Sequence, residues 1–187
     1  NYSISEMLRV LFKSDFFKSE EVRYERVKSP VELMVGLLRL TQEFESPKEE
    51  IVLANNQSMF MGQWLLNPPS VEGWHWGTEW INSGSVVERV NFVSERLGNH
   101  DSPGVIAMAE RMLANGRGDL EAETLVDRAL EQLSMYNLSE RSRSAIVGYI
   151  NEHDRVSVRD STDDENRRER ALLALKMAGI APEFQRV

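Results

Sequence analysis

The sequence contains no cysteine, which excludes disulfide bonds and thiolate metal ligands. No run of apolar residues approaches the roughly 20 that cross a bilayer, so we expect no membrane span. Basic residues are also in the minority, 22 against 30 acidic ones, giving a formal net charge of −8. Nucleic-acid binding needs clustered lysine and arginine, whereas the densest basic group, residues 167–170, is interleaved with carboxylates. These features argue against nucleic acid as a partner.

The familiar catalytic and metal-binding motifs are missing as well. His75, His100 and His153 lie far apart, and none has a second histidine at the spacing of a helical zinc site. The glycine-containing stretch 115–118 lacks the preceding strand and the following Lys-Ser/Thr of a phosphate-binding loop. Acidic pairs such as Glu49–Glu50 fall in the first turns of predicted helices, where they favour the helix dipole. We therefore assign no catalytic residue, metal ligand or cofactor.

What the sequence does contain is a succession of helix signals. Apolar residues recur at helical spacing from Ile4 to Phe12 and again from Val86 to Leu97. Further helices are predicted to end near Gly116 and to begin near Asp119 and Thr162. These patterns predict an all-α bundle of about eight helices. A chain of 187 residues fits one domain, with 1–98 and 99–187 as possible subunits.

Several helix starts are predicted from capping chemistry. Ser29-Pro30-Val31-Glu32 and Ser46-Pro47-Lys48-Glu49 each place serine at the N-cap, proline at the first helical position and glutamate two residues later. Ser85 and Glu88 have capping-box spacing too. The helix from Val31 to Leu40 is apolar nearly all round, which predicts a position in the middle of the bundle.

One segment, from Leu65 to about Ser83, has no sustained period. The chain's four tryptophans lie in or just before it: Trp64, Trp74, Trp76 and Trp80. We predict a long ordered loop, because so many large rings would not all be left in water. Two interpretations stay open: a recognition surface, or rings buried to hold an irregular segment against the helices. The candidate surface residues are Glu72, Trp74, His75, Trp76, Glu79, Trp80 and Asn82.

Several stretches resemble a bacterial family catalogued as domain of unknown function eighteen hundred. They are Val27–Glu32, Asn67–Trp74 with its Pro-Pro-x-Val-x-Gly-Trp signature, Gly77, Trp80–Asn82 and Arg89–Phe92, together with Leu8–Phe17 and Ala181–Gln185. The helices between Val105 and Ile150 carry nothing that we recognise. His75-Trp76 departs from the family's pattern at that point, so the resemblance does not extend to His75 as a shared site.

The resemblance implies the C-terminal part of a longer protein that acts outside the cytoplasm, and it implies no activity or cofactor. We accordingly favour a non-catalytic interaction domain that uses the region of Glu72 to Asn82. Its partner would be the rest of its own full-length chain or another protein, with a carbohydrate as a further candidate. The alternative is part of a hydrolase-like enzyme, in which His75, Glu72 and Glu79 contribute acid–base groups and the remaining site residues lie in the missing N-terminal region.

Overall fold

The computed structural model describes residues 3–44, 46–114, 120–157 and 163–187. Within those ranges the chain forms nine α-helices and three short 3₁₀ turns, without a β-strand. The helices are α1 (Ile4–Lys13), α2 (Asp15–Lys18), α3 (Pro30–Thr41), α4 (Glu50–Phe60), α5 (Ser83–Leu97), α6 (Pro103–Leu113), α7 (Ala122–Gln132), α8 (Glu140–Ser157) and α9 (Asp163–Gly179). The 3₁₀ turns are Glu20–Val22, Gly77–Trp80 and Pro182–Gln185. The predicted all-α bundle is therefore confirmed. The helix signals at Gly116, Asp119 and Thr162 lie outside the described residues.

The bundle is organised around α9, which packs against α5, α6, α7 and α8. The prediction that the helix from Val31 to Leu40 occupies the middle is wrong: α3 lies to one side, and its Val35 is 41% exposed. The C-terminal half of α9 buries Ala171, Ala174 and Ala178, small side chains that let several helices approach at once. The core draws on α3 and α5 as well as on α6 to α9, so it crosses position 98.

The start of α3 has the predicted capping box. The hydroxyl of Ser29 accepts the backbone N–H of Glu32 at 3.3 Å, and the Glu32 carboxylate accepts the backbone N–H of Ser29 at 2.8 Å. Two N–H groups that the helix cannot pair internally are thus satisfied. The local sequence decides this element, which is why it could be predicted.

Two other helix starts are displaced from their predictions. Helix α4 begins at Glu50 instead of Pro47, and its N-cap Glu49 makes no side-chain capping bond. Helix α5 begins at Ser83, because the side chain of Asn82 accepts the backbone N–H groups of Gly84 and Ser85. Asparagine caps a helix as well as serine does, so the helix starts at the cap that comes first in the chain, Asn82, and not at Ser85.

The N-terminal helix α1 has an amphipathic pattern, but neither it nor α2 contains a buried residue. The hydroxyl of Ser3 caps α1 by accepting the N–H of Glu6 at 3.3 Å. The apolar stripe nevertheless faces solvent, with Phe12 51% and Phe16 69% exposed. Among the described helices, none is both long enough and apolar enough to cross a membrane.

The capping box gives a pH-dependent prediction. A hydrogen bond from the Arg26 guanidinium lowers the pKa of Glu32 below its ordinary 4.5, with Nη1 2.8 and 2.7 Å from the two carboxylate oxygens. Because folding lowers this pKa, the stabilisation is present above the unfolded pKa and is lost as the pH falls through the folded one.

We expect Glu32→Gln to lower the free energy of unfolding at neutral pH by at most about 1 kcal/mol, since the pair is partly exposed. The difference from wild type should shrink as the pH falls below the usual carboxyl range. Urea unfolding at neutral and acidic pH measures it, with Glu110→Gln on an exposed position of α6 as the control. A difference that stays constant with pH would contradict the role of the Arg26–Glu32 pair.

Candidate functional site

The segment between α4 and α5, residues 61–82, forms a loop built from tight turns; we call it the tryptophan loop. Gly62, Gly73 and Gly77 have positive φ angles of 102°, 96° and 60°, a region that favours glycine. The indole N–H of Trp74 donates to the carbonyl of Trp64 at 3.1 Å and closes the loop across ten residues. The predicted long loop is present, and glycine occupies three of its four positive-φ positions, the fourth being Leu66.

Two of the seven candidate residues, Trp80 and Asn82, connect the loop to the start of α5. Trp80 is buried, with 5% exposure, and its carbonyl accepts the hydroxyl of Ser85 at 2.7 Å. Asn82 caps α5 through its side chain, while its own N–H donates to the Ser85 hydroxyl at 3.0 Å. Both residues act as scaffold, because the Trp80 ring is buried and the Asn82 side-chain oxygen is used as the cap of α5.

The other tryptophans face outward to different degrees. Trp74 is half-buried, and Trp64 and Trp76 are 47% and 81% exposed. The aliphatic side chains of the loop are exposed as well, Leu66 and Val71 almost completely. The expectation that the rings would not be left in water therefore holds for Trp80 and fails for Trp76. A tryptophan exposed to this extent is available to a binding partner.

The polar candidates lie on the same loop but in solvent. Nδ1 of His75 is 3.6 Å from Oε2 of Glu79, and the two side chains are 61% and 60% exposed. The same Glu79 oxygen accepts the backbone N–H of Trp76 at 3.4 Å, which holds the 3₁₀ turn. Glu72 is exposed. Within the described part of the chain, no group of three His, Asp or Glu side chains is placed to hold a metal ion.

The chain matches the profile of a family described as "Protein of unknown function (DUF1800)" over residues 1–186. The chain belongs to this family. No curated protein and no solved structure matches it. The DUF1800 match includes the stretch between Val105 and Ile150, in which the sequence alone carried nothing recognisable.

A second feature of this DUF1800 domain was missed from the sequence: a cleft of about 370 Å³ where the tryptophan loop, α5 and the C-terminal turn meet. Its apolar walls are Val27, Ile81, Val86, Val90, Ile180 and Pro182. Two buried polar side chains, Arg89 and Gln185, also line it. The available signal was the spacing of Arg89, three residues after Val86 and four before Val93, which places a cation on the apolar face of α5.

Arg89 is fixed by two hydrogen bonds. Its Nε donates to the side-chain oxygen of Gln185 at 2.7 Å, and its Nη2 donates to the carbonyl of Lys28 at 2.5 Å. Its Nη1, like the amide nitrogen of Gln185, is buried and has no hydrogen-bond partner among the described residues. Unpaired buried donors are uncommon in native structures, so this pair needs an explanation.

Arg89 is also a buried cation without a counterion. None of the ion pairs among the described residues includes Arg89. The nearby cation Lys28 is half-buried, and its amine donates to the carbonyl of Phe184 at 2.7 Å. Burial lowers the pKa of Arg89 to about 10, so the guanidinium is still charged at neutral pH. The cleft therefore offers an uncompensated positive charge within apolar walls.

Proposed function

We propose that this domain is a non-catalytic interaction module of a larger protein located outside the cytoplasm, and that it binds through the tryptophan loop. The observation that supports the proposal most strongly is Trp76, a large indole 81% exposed on a loop that is otherwise tightly held. Tryptophan is among the residues most enriched at the energetic centres of protein interfaces. The extracytoplasmic location is supported by the family resemblance alone, and cell fractionation tests it.

The construction of the loop favours recognition. The backbone is fixed on both sides of Trp76. Before it, the indole of Trp74 is hydrogen-bonded to Trp64, and after it, Trp80 is buried and Asn82 caps α5. A preorganised loop loses little conformational entropy when it binds, so more of the contact energy appears as affinity.

The surroundings of Trp76 favour a protein partner over a carbohydrate. Leu65, Leu66 and Val71 add exposed aliphatic surface on the same loop, and Glu72 and Glu79 add negative charge. An apolar protein surface bordered by lysine or arginine would complement both features. The uncovered apolar faces of α1 and α4 fit a domain that packs against further protein.

The hydrolase alternative has weaker support. His75 is 61% exposed, and the carboxylate beside it already accepts the N–H of Trp76. The cleft beside the loop is lined by Thr78 and Ile81 and does not include His75. A general base works best in a site that excludes water, and these groups stand in solvent.

Binding can be tested by titrating the domain with the remaining polypeptide of its full-length protein and, separately, with soluble polysaccharides. We expect the polypeptide to shift tryptophan emission to shorter wavelength, because Trp76 leaves water. Trp76→Ala should weaken binding at least about tenfold, the loss of roughly 1.4 kcal/mol, without changing the melting temperature.

The matched control is Tyr136→Ala, which removes an aromatic ring that is 76% exposed but lies outside the loop. It should leave the affinity unchanged. Equal affinities for wild type and Trp76→Ala would refute the loop as the recognition surface, and a response to polysaccharide alone would refute the protein partner.

A further inference from the structure

The cleft beside α5 combines three features that point to one kind of ligand. Its walls are aliphatic, its charged lining residues Arg89 and Arg186 are both cationic, and no acidic side chain lines it. The protein as a whole has a net charge of −8, so a cleft of this sign is a local exception. An apolar cleft with a basic end is complementary to an anion that carries an apolar body.

We propose that this cleft binds a small monocarboxylate with an aliphatic chain, its carboxylate accepting hydrogen bonds from Nη1 of Arg89 and the amide nitrogen of Gln185. A carboxylate there would supply acceptors for the unpaired donors and the negative charge that the guanidinium lacks. The planar, delocalised cation of arginine is well suited to a carboxylate in a partly dry site. The site does not include Trp76, although Thr78 and Ile81 of the tryptophan loop line it.

The arrangement of Arg89 supports a site more than a purely structural cation. Its Nε and Nη2 already hold the C-terminal turn and the segment before α3 in place, through Gln185 and Lys28. Holding these two segments therefore uses Nε and Nη2 of the guanidinium and leaves Nη1 without a hydrogen-bond partner among the described residues. A buried charge retained without a carboxylate partner is unfavourable unless something else supplies the negative charge.

The size and access of the cleft set the class of ligand. A volume of about 370 Å³ is at the small end of ligand pockets. The rim residues Ile81 and Val86 are 38% and 36% exposed, so the aliphatic chain enters from solvent between the tryptophan loop and α5. Arg186 also lines the cleft; its side chain is half exposed, and its Nη1 is 3.7 Å from a carboxylate oxygen of Glu25.

Methyl-region NMR titration of the whole chain with octanoate, octanamide and acetate tests the proposal. Octanamide has the same chain without the charge, and acetate has the charge without the chain. We expect octanoate to bind saturably and at least tenfold more tightly than either, with shifts at Val86, Val90 and Ile180. No saturable octanoate binding, or equal affinities for octanoate and octanamide, would overturn the assignment.

Two neighbouring valines of α5 provide matched variants. Val86 lines the cleft, whereas Val87 is 55% exposed and does not. Val86→Trp should fill the cleft and abolish octanoate binding, while Val87→Trp should bind octanoate as wild type does. Loss in both variants or in neither would refute this location.

Gln185→Glu tests the charge without filling the cleft. The new carboxylate would lie beside Nε of Arg89 and act as an internal counterion, because the glutamine oxygen is already 2.7 Å from that nitrogen. We expect a higher melting temperature and at least a tenfold loss of octanoate affinity. An unchanged octanoate affinity would mean that Arg89 does not recognise the carboxylate.

Discussion

Gly104→Ala should lower the free energy of unfolding by about 3 kcal/mol, among the largest losses that adding a single methyl group can produce. Gly104 lies in the first turn of α6, where the helix meets the C-terminal end of α3. A Cβ atom there would lie 2.2 Å from the carbonyl oxygen of Leu40 and 2.5 Å from the carbonyl carbon of Thr41. Both are backbone atoms and cannot rotate away, so α3 and α6 would have to separate.

A buried hydrogen bond also connects α3 and α6 at this position. The hydroxyl of Ser102 donates to the carbonyl of Thr41 at 2.6 Å, and both residues are buried. Separation of the helices would therefore also break a buried hydrogen bond and leave its groups unpaired.

Gly36→Ala in α3 is the matched control for Gly104→Ala. Gly36 is also helical, but nothing lies within 4 Å of the position its Cβ would take. Alanine should stabilise the protein there by about 0.5–1 kcal/mol, because glycine loses more backbone freedom on folding. Urea unfolding of both variants measures the difference, and similar effects at the two positions would contradict the close approach of α3 and α6.

The helix ends show which parts of the fold could be predicted from sequence. Ser29 and Glu32 satisfy each other's N–H groups within four residues, so the sequence contains all the information for that cap. The start of α5 required a choice between Asn82 and Ser85, and spacing alone favoured the wrong one. Ser85 instead pairs with the carbonyl of Trp80, a contact that depends on the path of the loop.

The position of α9 illustrates what could not be predicted. The first two turns of α9 consist mostly of charged residues, so the average hydropathy of the whole helix is low. That average gives no indication of the buried alanines in its second half. Helix α3 has the more apolar sequence and yet leaves Val35 in solvent. Which helix lies at the centre of the bundle depends on how closely other helices can approach it. Small residues such as Gly179 allow that close approach, and the hydropathy of a helix does not predict it.

The candidate site, too, could be predicted only in part from the sequence. Sequence composition correctly identified the irregular segment and its tryptophans, but the burial of each ring depends on contacts with residues far along the chain. Trp80 lies beside Gly62, which precedes it by eighteen positions. The position of Arg89 on an apolar helix face can be read from its spacing, but its partners Lys28 and Gln185 come from opposite ends of the chain.

Trp80→Ala should lower the free energy of unfolding by about 3 kcal/mol, the lower end of the range for removing a buried aromatic side chain. Trp80 is 5% exposed, and its ring packs beside Gly62 and near the edge of His75. Trp76→Ala removes the same atoms from the same loop, but from a side chain 81% exposed, and should change stability by less than about 0.5 kcal/mol. Urea unfolding monitored by circular dichroism compares the two without relying on the altered fluorescence.

The contrast between these variants separates scaffold from recognition surface. Loss of Trp80 would release the 3₁₀ turn that presents Trp76 and would also displace Ile81, which lines the cleft beside Arg89. Trp80→Ala should therefore weaken binding of the polypeptide and of octanoate together. Trp76→Ala should weaken only the first, and Val86→Trp only the second. If Trp76→Ala destabilised the fold as much as Trp80→Ala, the exposed ring would belong to the scaffold, which would contradict the role of Trp76 in recognition.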